Sequence, residues 1–226
     1  MTIKVNPERS DETLDSMMGA VKSAIINRLS ESEMSMNELS SFLGINKNAV
    51  KEHMEVMEQK GLVRSFFRNG KMGRPGKYYE LTERGMELFP KKYSLLSSML
   101  LDEVEKEFGQ SKLNEILGRV ANRLVESTGV NASLSDSQSR EDKISRLKDY
   151  VFALNQLGYY ARMEIDGDTV KIIRSNCIFF ELAKNNTRII CGSLGKQMIS
   201  KSVNTDFNIV EKFSSGDKRC VVELKL

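Results

Sequence analysis

Histidine occurs once in this chain, at His53, and cysteine three times, at Cys177, Cys191 and Cys220. One imidazole rules out a multi-histidine metal centre and argues against histidine-based catalysis. Three cysteines, an odd number with no Cys-x-x-Cys pair, speak against a disulfide framework and against a zinc ribbon. Long apolar runs are missing too: nothing approaches the roughly eighteen residues a membrane span needs. The opening "MTIKVNPERSDETLDSMMG" is polar and acidic and does not read as a signal peptide. The chain is therefore expected in the cytoplasm, with its thiols reduced unless they hold something. A charge excess of one sign is also absent, since the net charge is only +3.

What is present suits two domains. The chain has 226 residues, 40% of them hydrophobic and 29% charged, enough apolar material for real cores and no sign of wholesale disorder. Residues 1–10 read as a loose tail. Leu14, Met17, Met18, Val21, Ala24, Ile25 and Leu29 follow a helical period, which predicts one helix over 11–29. Ser35 and Glu38 form a capping box for a second helix over 36–43, stopped by Gly44. Asn46 is placed to cap a third, which runs to Gly61. Two β-rich runs, "LVRSFFR" and "KYYELT", then flank a loop of glycine, lysine, arginine and proline.

That hairpin gathers the positive charge. From Lys60 to Lys92 there are nine Lys/Arg against three Glu, nine minus three giving +6, more than the balance of the whole chain. A local basic patch is the footprint of a phosphate-binding surface. Met36, Leu39, Phe42, Leu43, Ile45, Val50, Met54 and Met57 share one apolar core, and the short Gly44-Ile45 turn makes the second and third helices cross sharply. This is a helix-turn-helix, whose second helix lies in the DNA major groove. Lys47, Asn48 and Lys51 then point outward with Asn46 at the helix start; lysine can donate to guanine O6/N7 and asparagine can pair with adenine N6/N7. The hairpin becomes a wing whose Arg64, Arg68, Lys71, Arg74 and Lys77 reach phosphates and a narrow minor groove. His53 sits at the edge of the buried face and reads either as a phosphate contact or as a packing residue. The Gly-x-x-Gly-x-x-Gly of 70–76 joins two strands instead of opening a helix, so it is no nucleotide fingerprint. A helix-plus-hairpin module can also serve as a protein–protein scaffold that never touches DNA.

The stretch "AVKEHMEVMEQKGLVRSFFRNGKMGRPGKYYELTERG" resembles the winged helix-turn-helix of ArsR-like transcription regulators. The resemblance rests on Gly61-Leu62-Val63 before the wing and on Tyr79-x-Leu81-Thr82-x-x-Gly85 after it, and covers about residues 14–93. Gly73-Arg74-Pro75 within the wing, followed by Leu88-Phe89-Pro90 and Tyr93, is similar to the SufR-like repressors of iron–sulfur cluster assembly genes. The resemblance implies a DNA-binding repressor with no catalytic role.

Beyond the wing, Leu95, Leu96, Met99, Leu100, Val104 and Phe108 mark one apolar stripe, and Leu113, Ile116, Leu117, Val120 and Leu124 a second. Two stripes exceed what one small domain needs, so helices over 94–128 are expected to form a homodimer seam. Small polar residues at 127–140 predict a linker. After it come a helix over 141–157, a hairpin through Asp166-Gly167-Asp168, two short helical stretches and a closing hairpin through "SSGDK": an α+β domain with an antiparallel sheet. The predicted fold is thus α+β, with a winged helix over 1–93, connecting and dimerisation helices over 94–136 and a sensor or effector domain over 137–226.

All three cysteines lie in that last domain. On the final strand Cys220, Val222, Leu224 and Leu226 alternate with charged residues, so Cys220 faces the apolar side, as free core cysteines do. The SufR-like resemblance implies instead that Cys177, Cys191 and Cys220 help hold an iron–sulfur cluster that controls DNA affinity. The family uses a further ligand between the second and third cysteines. This chain has no Cys or His there, and only Asn204 or Asp206 as poor substitutes.

Overall fold

The computed structural model describes residues 12–69, 75–130, 139–202 and 206–226. The expected tail at 1–10, the wing tip with Lys71 and Arg74, most of the expected linker, and Asn204 lie outside the described residues. The chain divides into two units, Met1–Lys91 and Lys92–Leu226. No helix among the described residues is long and apolar enough to cross a membrane.

In the first unit the helix expected over 11–29 is two helices, α1 (Glu12–Met18) and α2 (Ala20–Leu29). Gly19 separates them at φ 84°, a left-handed backbone that glycine adopts without steric cost. A two-residue strand β1 (Met34–Ser35) leads into α3 (Met36–Leu43), which starts on the predicted capping box: the Glu38 N–H donates to the Ser35 hydroxyl oxygen, and the Ser35 N–H donates to the Glu38 carboxylate at 2.7 Å. Gly44, at φ 66°, ends α3 and turns the chain into α4 (Lys47–Gln59). Ile25, Ile26, Leu39, Val50, Met54 and Met57 are wholly or almost wholly buried and form the shared core.

The wing strands are β2 (Val63–Arg68) and β3 (Gly76–Leu81), paired antiparallel from Val63↔Leu81 to Arg68↔Gly76. With β1 on the other side of β3, the sheet order is β1-β3-β2. The Thr82-x-x-Gly85 motif has a mechanical role at the wing base. The Thr82 hydroxyl donates to the Gly61 carbonyl at 2.6 Å and accepts from the Gly85 N–H at 3.0 Å, capping the short helix α5 (Glu83–Met86). A Cβ on Gly85 would lie 2.1 Å from the Leu62 carbonyl oxygen, so only glycine fits there.

The second unit begins with α6 (Tyr93–Glu126), interrupted at Gly109 by a non-helical φ of 76°. Here the two stripes of the expected dimer seam differ. Of the second stripe, Leu113 and Leu117 are buried in the core of their own unit with Ala121 and Val125, and Leu124 packs against it, while Val120 is exposed. Among the residues of the first stripe, Val104 packs on that core, while Leu95, Leu96, Met99, Leu100 and Phe108 are each more than half exposed. Arg188 holds Glu105 at 2.5 and 2.7 Å, and Asn186 donates to Ser98 at 2.6 Å, tying this half of α6 to the chain segment around residues 186–188.

Helix α7 (Arg140–Gln156), capped by Ser139, precedes a four-stranded antiparallel sheet. Its strands are β4 (Ala161–Asp166), β5 (Thr169–Arg174), β6 (Phe207–Glu211) and β7 (Cys220–Lys225), in the order β4-β5-β7-β6. The two predicted hairpins are joined through β5 and β7. Between them lie α8 (Phe180–Asn185), a π-helix over Arg188–Leu194 and α9 (Gly195–Ser202). Val170, Ile172, Val222 and Leu224 carry the inner face of the sheet into the core.

Candidate functional site

Two groups of side chains stand out, one in each unit. The first surrounds the start of α4. The Asn46 side-chain oxygen accepts from the Ala49 N–H at 2.9 Å, so this residue, expected to contact DNA, has its carbonyl committed to the helix cap. Lys47 and Asn48 are exposed and line one shallow concavity with Asn46, Ala49 and Glu52. The helix N-terminus adds a partial positive charge to that surface. Lys51 lies exposed, 3.6 Å from Glu55 one turn on. His53 is half-buried beside Met54, at the margin of the core face as its spacing predicts.

On the wing, the described cations are not bare. Arg64 pairs with Glu80, its direct cross-strand partner, at 2.7 Å. Arg68 pairs with Glu33, in the turn before β1. Lys77 stands 4.9 Å from the centre of the Tyr79 ring. The sequence shows the wing cations readily but not these carboxylates, because Glu33 is far from Arg68 along the chain and meets it only through the β1-β3-β2 sheet.

The second group is a pocket in the other unit, and it brings together Cys177, Cys191 and Cys220. They arrive from three different elements: the loop after β5, the π-helix and β7. π-Helical turns are rare and gather at functional sites. Arg174, Tyr159 and Asn176 share the lining. Arg174 is the direct partner of Cys220 in the β5–β7 ladder, and its guanidinium stands 5.6 Å from the Tyr159 ring centre. Its Nε is buried without a hydrogen-bond acceptor. Beside Tyr159, whose N–H donates to the Leu154 carbonyl at 2.9 Å, the Asn155 side chain accepts from the Ala161 N–H and donates to the Ala161 carbonyl.

Burial pushes the Cys177 and Cys220 thiols above their usual pKa; nearby backbone N–H groups and the Arg174 charge act in the opposite direction. Cys220 is buried and its sulfur accepts from the Phe213 N–H at 3.3 Å; the Cys191 sulfur lies 3.6 Å from the Ser214 hydroxyl. Among the described residues no three Cys, His, Asp or Glu side chains are gathered closely enough to hold a single metal ion. Iron–sulfur clusters are held by Cys thiolates, commonly four, and this pocket gathers three side chains of that donor type. Arg174 is the residue missed at the sequence level, and it left a signal. Val170 and Ile172 face the core, and Arg174 continues their alternation, putting a charge at an inward position.

Residues 21–65 match the family described as bacterial regulatory protein, ArsR family. The match runs from α2 through α4 into β2. No curated protein matches the chain. Among solved structures it is similar to a transcriptional regulator of the MarR family from Enterococcus faecalis V583, at 24% identity and TM-score 0.30, covering 50% of this chain and 97% of that one. The transcriptional regulator BldR from Sulfolobus solfataricus shares 23% identity at TM-score 0.30, over 50% of this chain and 81% of its own. Bacillus subtilis PadR in complex with operator DNA shares 12% identity at TM-score 0.29, over 82% of this chain and 96% of its own. Residues 21–65 thus carry a helix-turn-helix of the ArsR type, set in a chain of mixed helix and antiparallel sheet.

Proposed function

We propose that this chain is a sequence-specific DNA-binding transcriptional regulator that acts as a repressor and reads its operator as a homodimer. The observation that carries the reading is the exposed polar start of α4, with Lys47 and Asn48 on one surface, in the same unit as a cationic wing. A recognition helix needs polar residues at its groove-facing end and a positively charged neighbour to hold phosphates. The exposed apolar half of α6, from Leu95 to Phe108, supports the dimer, because it is the surface a second copy would cover. Two recognition helices about one DNA turn apart then read a near-palindrome.

Control would come from the thiol pocket. Cys177, Cys191 and Cys220 would hold an iron–sulfur cluster through their thiolates, and the cluster would supply a charge and redox state that follow iron and sulfur availability. The chain's own part is to bring three thiols from three elements to one pocket, to place Arg174 as counter-charge, and to anchor the Cys220 sulfur with the Phe213 N–H.

The DNA reading is tested by selecting duplexes from a random pool with the full chain and titrating the winners against salt. A selected motif and a steep salt slope are expected; a folded protein that enriches no sequence sinks it. The cluster is tested by reconstitution with iron and sulfide without oxygen. Broad visible absorption, lost in Cys177→Ser, is expected; a colourless protein retaining three intact thiols removes the cluster and leaves the DNA reading standing.

A further inference from the structure

Arg68 ends β2, where an unpaired arginine would project into solvent at the wing. Instead it lies along the sheet. Its direct partner on β3 is Gly76, which has no side chain to block it. A Cβ at Gly76 would come within 3.2 Å of the Tyr78 ring, so the glycine also makes room for that ring. The Arg68 guanidinium stands 4.8 Å from the Tyr78 ring centre and 5.9 Å from that of Phe66, and the two rings are themselves stacked at 6.1 Å. Beyond Tyr78 the next strand is β1, and the residue just before it, Glu33, receives the guanidinium in an ion pair. The arginine thus crosses the width of β3 over an aromatic bed to reach a carboxylate on the far edge.

A carboxylate and a phosphate each present a pair of anionic oxygens to the arginine fork. The Glu33 side chain is about one-third exposed and that of Arg68 about half, so the pair sits at the surface, where ion pairs are weak and exchangeable. We propose that Glu33 is an intramolecular stand-in for a DNA phosphate, holding Arg68 against the wing in the free protein and yielding it to the backbone when the wing docks. This rests on the DNA-binding reading of the first unit. Glu33 lowers affinity for every sequence alike, since phosphate contacts carry no base information. The effect is a limit on non-specific binding by a residue that never touches a base. The aromatic bed keeps the guanidinium on the sheet surface during the exchange, so that it swings between two acceptors without leaving its ring contacts.

The test uses the full chain and a duplex of about 25 base pairs of arbitrary sequence, titrated by fluorescence anisotropy at about 0.1 M salt. Wild type, Glu33→Gln, Arg68→Ala and the double variant are compared. Glu33→Gln keeps the shape of the side chain and removes its charge; binding is expected to tighten about two- to fivefold, the scale of an exposed ion pair. In the Arg68→Ala background the same change is expected to leave binding nearly unaltered. Weaker binding by Glu33→Gln would make Glu33 a support for the bound arginine and overturn the proposal. An unchanged affinity would overturn it as well. Equal tightening in both backgrounds would show only general repulsion of DNA by a carboxylate, and would also overturn it. A folded wild type that binds no duplex even at about 0.02 M salt is a different failure, that of the DNA reading itself.

Discussion

In the N-terminal unit the side chains fit for a ligand stand outside the core: Lys47 and Asn48 on α4 and the arginines on β2 are exposed, while Val50, Met54 and Met57 of the same helix are buried. In the C-terminal unit they open inward. Cys220 is buried, Cys177 and Cys191 are half-buried, and Arg174 occupies a core-facing register position. The difference matches two kinds of recognition. A DNA duplex is larger than the unit that reads it, so the contact must be a surface. A small group must be enclosed, so its donors come from elements that the core brings together. Substitution at the first site should change binding with little loss of stability, whereas the second site shares its atoms with the core.

The largest effect expected from this contrast lies on α6. Leu117→Ala empties a buried position and should cost about 2–5 kcal/mol in chemical denaturation of the full chain. Leu100→Glu, on the exposed half of the same helix, should leave that stability within about 0.5 kcal/mol and instead lower the sedimenting mass toward a single chain. If Leu100→Glu unfolds the protein, the two halves of α6 are not different in kind.

Next in size is the wing. Replacing Arg68, Lys71 and Arg74 together with Ala should weaken binding to all duplexes by roughly 10²–10³-fold at about 0.1 M salt, and should shallow the log–log salt slope by about 0.9 for each phosphate no longer neutralised. The melting of the protein should barely change. A weakening confined to one DNA sequence would mean that the wing reads bases.

A smaller and more selective change is expected from Asn48→Ala. It should relax base preference at one operator position by about 1–3 kcal/mol, read by competition among single-base variants of the site. Equal weakening for every base would make Asn48 a residue that positions the helix.

The smallest effect concerns the capping box. Ser35→Ala should cost the first unit about 1 kcal/mol at neutral pH. The Ser35 backbone N–H, and then its hydroxyl, hold the Glu38 carboxyl below its usual pKa. A carboxyl lowered in the folded state stabilises above its unfolded pKa, and that stability is lost as the pH falls through the folded value. The cost of Ser35→Ala should therefore shrink below about pH 4. A cost that stays flat with pH would show that the contact between the Ser35 hydroxyl and the Glu38 carboxylate adds nothing.

The parts legible in the sequence are those governed by contacts three or four residues apart. The Ser35–Glu38 box, the Asn46 cap, the stop at Gly44 and the two-residue turn at Gly167-Asp168 all follow from local backbone geometry. The breaks at Gly19 and Gly109 were less legible. A glycine inside a periodic pattern is compatible with a continuous helix and with a left-handed turn, and only packing on both sides selects between them. The direction of the α6 stripes was not legible either. Periodicity shows that Leu113 and Leu117 share a face, but not whether that face meets its own core or a second chain.

By itself the sequence determined the helix caps, the hairpins, the alternation that turns Cys220 inward and the cationic character of the wing, because each depends on neighbours along the chain. Tertiary structure decided the rest. The β4-β5-β7-β6 order set Arg174 opposite Cys220 and, with the π-helix, gathered the three thiols into one pocket. The β1-β3-β2 order set Glu33 within reach of Arg68. Strand order joins residues 35 to 46 positions apart, and a local pattern cannot specify such pairings, since which edges meet depends on how the whole core closes.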